Sequence, residues 1–270
     1  MLRVILYAPI HTSLYSRLVL YGLLHTENVE VVGIAVRTPW NIKRIRSELR
    51  RDGKRLIKKF IQKFLLREKA FADAQVDNLA MAAKRAGLPH GDLREMAKLH
   101  KTPYLSCKEL SDKTCEQFVQ QAAPDVIVFT GGGLIRQNIL KLPTLGVLNC
   151  HTGVLPAYRG MDVVEWTALE GVVNKVGFGV TLHYMDKGVD TGPILLVKPL
   201  SPSSQDTFAT IRMRLEVMMV ETMLAGVQQI AAGSIKAIEQ TRNEGKQYFV
   251  MHPRIKKIAE KQLEKQLSTY

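Results

Sequence analysis

Cysteine is scarce in this chain and is not arranged for cross-linking or metal binding. The 270 residues contain three cysteines, Cys107, Cys115 and Cys150, an odd number without a Cys-x-x-Cys pair. This spacing supports neither a disulfide framework nor a zinc site. We therefore expect three free, mostly inert thiols.

Long hydrophobic runs are also missing. No stretch of about eighteen apolar residues, the length of a membrane-spanning helix, occurs in the sequence. Met1 to Tyr7 pass directly into a strand-like run, without the charged, apolar and small-residue regions of a secretory leader. The sequence therefore predicts a cytoplasmic protein, and its 46% hydrophobic content suits one sizeable core.

Positive charge is concentrated in one segment. The formal net charge is +13, and the range 43–69 alone carries twelve Lys or Arg against three acidic residues, or +9. Its apolar residues follow helical spacing, which predicts an amphipathic basic helix within an inserted arm at about 38–90. Three readings remain open: a helix pair packed on its own domain or on another subunit, a polyanion-binding surface, and an anionic membrane surface.

Apolar β-branched runs alternate with helical patterns along the rest of the chain. This order predicts an α/β fold: a Rossmann-like, doubly wound, mainly parallel sheet with the inserted basic helical arm. The main domain is expected over 1–245, followed by an edge strand and a helix within 246–270. The predicted strands are 4–7, 29–36, 102–105, 125–129, 146–149, 179–184 and 246–250, and the predicted helices are 13–25, 92–100, 112–122, 162–170, one capped by Asp206, and a loosely packed one at 255–267.

Three polar residues stand where ligands bind in such a sheet. Asn149 and His151 end a predicted strand, and Asp190 lies in the loop after the next strand. Alternate residues of an extended segment point to one face, so Asn149 and His151 are expected side by side. An amide, an imidazole and a carboxylate could supply the oxyanion donor, proton donor and proton acceptor of acyl transfer between nitrogens, through a tetrahedral intermediate. Each residue taken singly could instead be a cap, a structural histidine or a turn residue.

The sequence around these residues resembles the formyltransferase family. The family pattern of Asn-x-His, Leu-Pro-x-Tyr-Arg-Gly and Asp-x-Gly-Pro-Ile is met by Asn149 and His151, by 155–160 and by 190–194. The resemblance implies that Asn149, His151 and Asp190 are catalytic and that 10-formyltetrahydrofolate is the formyl donor. It also implies a folate site formed by Gly131, Gly132, Gly133, Leu134, Ile135, Met185 and Val189.

The acceptor side is less constrained by the sequence. Residues beside the expected catalytic trio are candidates for binding the amine substrate, namely Tyr158, Arg159, Asp162 and His183. For His183, a core histidine and a wall of the site are equally open. A second copy of the chain is a further candidate partner.

Departures from the family pattern favour one acceptor class. The segment 7–13 lacks the glycine-rich loop that holds the substrate phosphate in glycinamide ribonucleotide enzymes. Methionyl-tRNA enzymes carry a separate C-terminal RNA-binding domain, whereas seventy residues follow Leu200 here. A small or carrier-bound amine, with an amino-sugar nucleotide as the leading example, is therefore expected. The alternatives are a methionyl-tRNA enzyme that uses the basic arm, a formyltetrahydrofolate hydrolase, and an inactive core that binds a polyanion or membrane.

Overall fold

The computed structural model describes residues 1–38, 76–131, 133–241 and 244–268. The basic segment 43–69 lies outside the described residues, so its predicted helix stays a prediction. Within the described ranges no helix has the length and apolar content needed to cross a bilayer.

The described elements are, in chain order, β1 (Leu2–Ala8), α1 (Leu14–Leu24), β2 (Val29–Arg37), α2 (Leu79–Ala86), α3 (Leu93–Leu99), β3 (Tyr104–Cys107), α4 (Lys113–Ala122), β4 (Val126–Phe129), α5 (Gln137–Leu140), β5 (Gly146–His151), β6 (Tyr158–Gly160), α6 (Val163–Leu169), β7 (Phe178–Tyr184), β8 (Ile194–Leu200), α7 (Phe208–Ala231), β9 (Lys246–Tyr248) and α8 (Pro253–Leu267).

Seven strands form the central sheet, in the order β3-β2-β1-β4-β5-β7-β8. The five strands from β3 to β5 pair in parallel, and β7 and β8 add antiparallel to them. Every residue of β4 is buried, as expected for a central strand covered on both faces. The predicted Rossmann-like, mainly parallel sheet is confirmed.

Helices cover both faces of the sheet. One hydrophobic core includes residues of α1, α3 and α7, and a second includes residues of α4 and α5 on the other face. Helix α2, which lies in the described part of the predicted insert, packs Leu79, Ala82 and Ala83 partly buried against the first core. The order of the sheet places the ends of β4 and β5 next to each other, where ligands bind in doubly wound folds.

Two local predictions near α7 need correction. The N-cap is Thr207, whose hydroxyl accepts from the Thr210 N–H, and not Asp206. The Asp206 carboxylate instead accepts from Ser203 N and pairs with Arg214. Strand β8 was not expected, because Lys198 and Pro199 at this sheet edge obscure its apolar alternation.

The C-terminal segment is integrated into the fold. The predicted edge strand at 246–250 does not join the main sheet: β9 pairs in parallel with β6 in a separate two-stranded ribbon. The predicted loose packing of the last helix is also wrong, because Ala259, Leu263 and Leu267 of α8 are buried in the first core. The amphipathic face of α8 therefore packs inward.

Truncation of Leu263 should separate a buried helix from a loosely attached one. Leu263 is 3% exposed, and we expect Leu263→Ala to lower the free energy of unfolding by about 2–5 kcal/mol, because a cavity remains in the core. Ile258→Ala, at a 53% exposed position of the same helix, should cost about 1 kcal/mol or less. Urea unfolding compares the two, and equal small losses would mean that α8 does not support the core.

Candidate active site

The side chains of Asn149 and His183 meet across neighbouring strands. The two residues are register partners in the antiparallel β5–β7 pair, and such partners bring their side chains together. Asn149 Nδ2 lies 3.1 Å from His183 Nε2. The imidazole of His183 is 2% exposed, so the ring is enclosed by protein, and its role toward an acceptor stays a prediction.

The hydrogen bonds of His183 determine which nitrogen carries its proton. His183 Nδ1 lies 2.8 Å from the carbonyl oxygen of Tyr184, and because a carbonyl only accepts, Nδ1–H must donate. In the neutral ring, Nε2 is then the acceptor for the Asn149 amide. With the ring in this state, the Asn149 side chain turns its amide nitrogen toward His183.

His151 is held by a carbonyl on its other side. Its Nε2 lies 3.0 Å from the oxygen of Tyr158 and donates to it. Gly153 packs against this contact so closely that a Cβ there would lie 2.6 Å from Nε2. Burial lowers the pKa of the His151 imidazole, an effect that the charge of Asp190 only partly offsets. The neutral ring therefore turns the lone pair of Nδ1 toward Asp190.

Asp190 joins the two histidines. Its Oδ2 lies 3.5 Å from His151 Nδ1, and its Oδ1 lies 3.5 Å from His183 Nε2. Burial alone would raise the pKa of the Asp190 carboxyl, but the two imidazoles in their protonated form, together with the N–H of Gly160, outweigh it and hold the pKa below its usual range. The carboxylate is therefore ionised at neutral pH.

Gly160, the last residue of β6, supplies the shortest contact to that carboxylate. Its N–H donates to Asp190 Oδ2 at 2.9 Å. Gly160 has φ +98, and a Cβ there would lie 2.2 Å from the backbone oxygen of Tyr248 in β9. Only glycine fits this position. Gly160 therefore allows β6 to approach β9 and, through its N–H, also binds the Asp190 carboxylate.

Gln240 is a contributor that the sequence did not reveal. Its Nε2 donates to the backbone oxygens of Asp190 at 3.1 Å and Gly192 at 2.6 Å. Gln240 lies far along the chain from these partners and outside the three motifs, so no spacing could have indicated it. The loop that carries Asp190 is thus tied to the segment after α7.

The predicted folate residues lie around the ends of β4 and β7. Gly131 and Gly133 adopt φ +108 and +109 after β4, and Gly132 lies outside the described residues. Ile135 and Met185 pack in the same hydrophobic core, which links the loops after β4 and β7. Two apolar side chains remain open to solvent, Leu134 at 86% and Val189 at 41% exposure.

The structure engages the predicted acceptor residues in internal contacts. The Tyr158 hydroxyl donates to Glu170 at 2.6 Å and its ring stacks on Tyr248. The Asp162 carboxylate accepts from the Met251 N–H at 2.9 Å and lies 3.4 Å from Arg212. Arg159 donates to the oxygen of Gly245 at 3.3 Å, while its buried Nε has no hydrogen-bond partner among the described residues. Their roles toward an acceptor stay predictions.

The contribution of Asp190 to the stability of the protein should decrease as the pH falls. Because the folded state lowers the pKa of Asp190, its ionised form contributes stability above the ordinary pKa, and this contribution is lost as the pH falls through the lower folded value. The stability difference between the wild type and Asp190→Asn should therefore shrink between about pH 5 and pH 3, on either side of the usual aspartate pKa. Urea unfolding at several pH values measures it, and a difference that grows on acidification would contradict the assigned environment.

Comparisons with known proteins identify the family of the chain. The model of the formyl transferase family matches residues 54–227. The methionyl-tRNA formyltransferase of Thermotoga maritima is 30% identical over 149 residues, which are 55% of this chain and 47% of that protein. The chain spans about half the length of the curated relatives it matches.

Solved structures share the fold. A sugar N-formyltransferase from Shewanella sp FDAARGOS_354 superposes with a TM-score of 0.55 at 12% identity, covering 97% of this chain and 88% of that one. The sugar 3N-formyl transferase WlaRD, solved in the presence of dTDP and 5-N-formyl-THF, gives 0.51 at 16% identity over 92% and 70% of the two chains. Because the family model covers more than half of its 270 residues, the chain belongs to the formyl transferase family.

Proposed function

We propose that the protein transfers a formyl group from 10-formyltetrahydrofolate to a primary amine of a small or carrier-bound acceptor. The observation that carries the proposal is the buried cluster of Asn149, His151, His183 and Asp190 at the edge of the sheet, in a chain of the formyl transferase family. In this cluster an amide contacts one imidazole, and an ionised carboxylate joins that imidazole to a second one.

The surroundings of the cluster suit a reduced folate. Gly131 carries no side chain, and a Cβ there would meet only Pro9 at 3.7 Å, so a flat ring could approach its N–H and C=O groups. At Gly133 the Arg37 guanidinium already lies 2.7 Å from the Cβ position. Leu134 and Val189 expose apolar side chains beside it. When bound, 10-formyltetrahydrofolate supplies an activated one-carbon group. WlaRD was solved with a formyl-folate, which supports this donor class.

Asn149 is placed to stabilise developing negative charge. One N–H of its amide donates to His183 Nε2 at 3.1 Å, and the second has no partner among the residues that the structure describes. An amide fixed before the reaction stabilises an oxyanion without reorganising. We assign this second N–H to the oxygen of the formyl group under attack.

His151 and Asp190 can hold one proton between them. At 3.5 Å, Nδ1 and Oδ2 are too far apart for a strong hydrogen bond, and in the neutral state a lone pair faces the carboxylate. A proton lost by the attacking amine would convert this repulsion into a charge-assisted hydrogen bond. The pair can then return the proton to the departing nitrogen.

An amino-sugar nucleotide is the acceptor that we favour. Two structures that share this fold are described as sugar N-formyltransferases. The segment 7–13, between β1 and α1, is not a glycine-rich phosphate loop, which disfavours glycinamide ribonucleotide. Arg159 adjoins Gly160 and is partly exposed, so its guanidinium is a suitable partner for a phosphate of the acceptor.

Methionyl-tRNA is the second candidate acceptor. The methionyl-tRNA formyltransferase of Thermotoga maritima supports it, because that protein is 30% identical to this chain over the matched residues, whereas WlaRD and the Shewanella enzyme are 16% and 12% identical. The basic segment 43–69 would supply charge for RNA.

A single-turnover assay decides between the two acceptors. Protein loaded with 10-formyltetrahydrofolate is mixed with a panel of amino-sugar nucleotides, with methionyl-tRNA, or with buffer. We expect rapid formation of tetrahydrofolate and a formylated product with an amino-sugar nucleotide. Rapid product formation with methionyl-tRNA alone would identify methionyl-tRNA as the acceptor. Folate turnover in buffer at the same rate as with the amines would indicate a hydrolase. Folate binding without turnover in any arm would contradict the proposal.

Loss of either member of the proton-holding pair should abolish most turnover. We expect His151→Ala and Asp190→Ala each to lower the single-turnover rate by about a hundred-fold or more, because a proton-transfer group is removed. His90→Ala, at an exposed histidine outside the cluster, is the matched control and should retain the wild-type rate. Near-normal rates in either cluster variant would remove that residue from the mechanism.

A further inference from the structure

The side chain of Gln240 contacts the backbone of the loop that carries Asp190. Its two amide hydrogens are shared between two carbonyls, those of Asp190 and Gly192. The segment that carries Gln240 is held in place by backbone pairing. Ile194 and Ile238 form an antiparallel bridge and exchange two backbone hydrogen bonds of 2.8 Å. Gln240 therefore joins Asp190, the proposed catalytic residue, and Gly192, two residues before β8, to one anchored segment.

The Asp190 backbone has a conformation that requires such support. Asp190 has φ +53, in the left-handed region, which is costly for a residue with a side chain. Within the loop, the Asp186 carboxylate accepts from Gly188 N and from the Thr191 hydroxyl. These contacts bridge the loop from 186 to 191 through side chains, whereas Gln240 binds the backbone carbonyls of Asp190 itself and of Gly192.

A small rotation of the Asp190 backbone would change the contacts of the whole cluster. The Asp190 carboxylate touches the Gly160 N–H at 2.9 Å and two imidazole nitrogens at 3.5 Å. A misplacement of about 1 Å can cost a hundred-fold in rate. The restraint on the Asp190 carbonyl is thus also a restraint on the distances to His151 and His183.

We propose that Gln240 is a positioning residue of the active site: through its amide it sets the place of the Asp190 carboxylate between His151, His183 and Gly160. Gln240 lies beyond residue 227, where the match to the family model ends. The proposal rests on the proposed function only for its effect on rate, because the effect on Asp190 can be measured without an acceptor.

A purely stabilising role accounts poorly for this side chain. The Oε1 of Gln240 is buried without a hydrogen-bond partner among the described residues, and an unsatisfied buried oxygen costs free energy. Gln240→Met keeps the length of the side chain and removes both this oxygen and the two donors. Removal of the unsatisfied oxygen should raise the free energy of unfolding, and removal of the two donors should lower it. The loss of the restraint on Asp190, in contrast, is not compensated.

The test is a carbon-13 NMR titration of the aspartate carboxyl groups, with the Asp190 signal assigned by its absence in Asp190→Asn. The titratable groups that face this carboxylate are His151 of β5 and His183 of β7. In Gln240→Met we expect the pKa of Asp190 to rise by about half a unit or more, because the carboxylate moves away from the imidazoles and the Gly160 N–H that lower it. The single-turnover rate should fall about ten- to a hundred-fold, with the folate KM changed less than about three-fold.

Ala237→Met is the matched control, since it introduces the same side chain at an exposed position of the same segment without a change in charge. It should leave the Asp190 titration and the rate at wild-type values. If Gln240→Met does not fold, Gln240→Asn, which keeps the amide on a shorter side chain, carries the same expectations.

Three outcomes are distinguishable. An unchanged Asp190 titration in a folded Gln240 variant overturns the proposal, even if the melting temperature falls. A shifted titration with no formyl transfer by the wild type supports the positioning role and contradicts only the proposed function. A shifted titration together with a reduced rate supports both.

Discussion

The placement of one buried carboxylate is the constraint on which the rest of the site depends. Asp190 contacts an imidazole of β5, an imidazole of β7 and a backbone N–H of β6. These three elements come from different parts of the sequence and meet only because the parallel sheet ends beside the antiparallel pair β7–β8. Any change that separates β6 from this edge also removes the strongest contact of the carboxylate.

The same constraint explains the small ribbon beside the sheet. Gly160 must approach the backbone of Tyr248 closely, and its N–H must still reach Asp190. Tyr158 and Tyr248 stack on the inner side of this ribbon, and both hydroxyls donate to Glu170. The tyrosine of the Leu-Pro-x-Tyr-Arg-Gly motif thus supports the ribbon with its side chain and His151 with its carbonyl.

Local patterns in the sequence predicted most of the central sheet and several of its helices. The buried strand β4 and the starts of the helices at Asp92 and Asp112 follow from short-range signals. Contacts between distant segments could not be predicted in this way. The burial of α8, the pairing of β9 with β6 and the grip of Gln240 on the Asp190 loop all depend on tertiary packing that no local spacing encodes. His183 illustrates the boundary, because its position on a strand was evident but its partners Asn149 and Asp190 were not.

A crystal structure of the protein with 5-formyltetrahydrofolate, a stable analogue of the proposed donor, tests the role of the cluster most directly. We expect the formyl oxygen within hydrogen-bond distance of Asn149 Nδ2, with the pterin ring against the backbone of Gly131 and the Asp190 carboxylate beside the formyl carbon. A folate bound away from Asn149 and Asp190, or absent at saturating concentration, would contradict it.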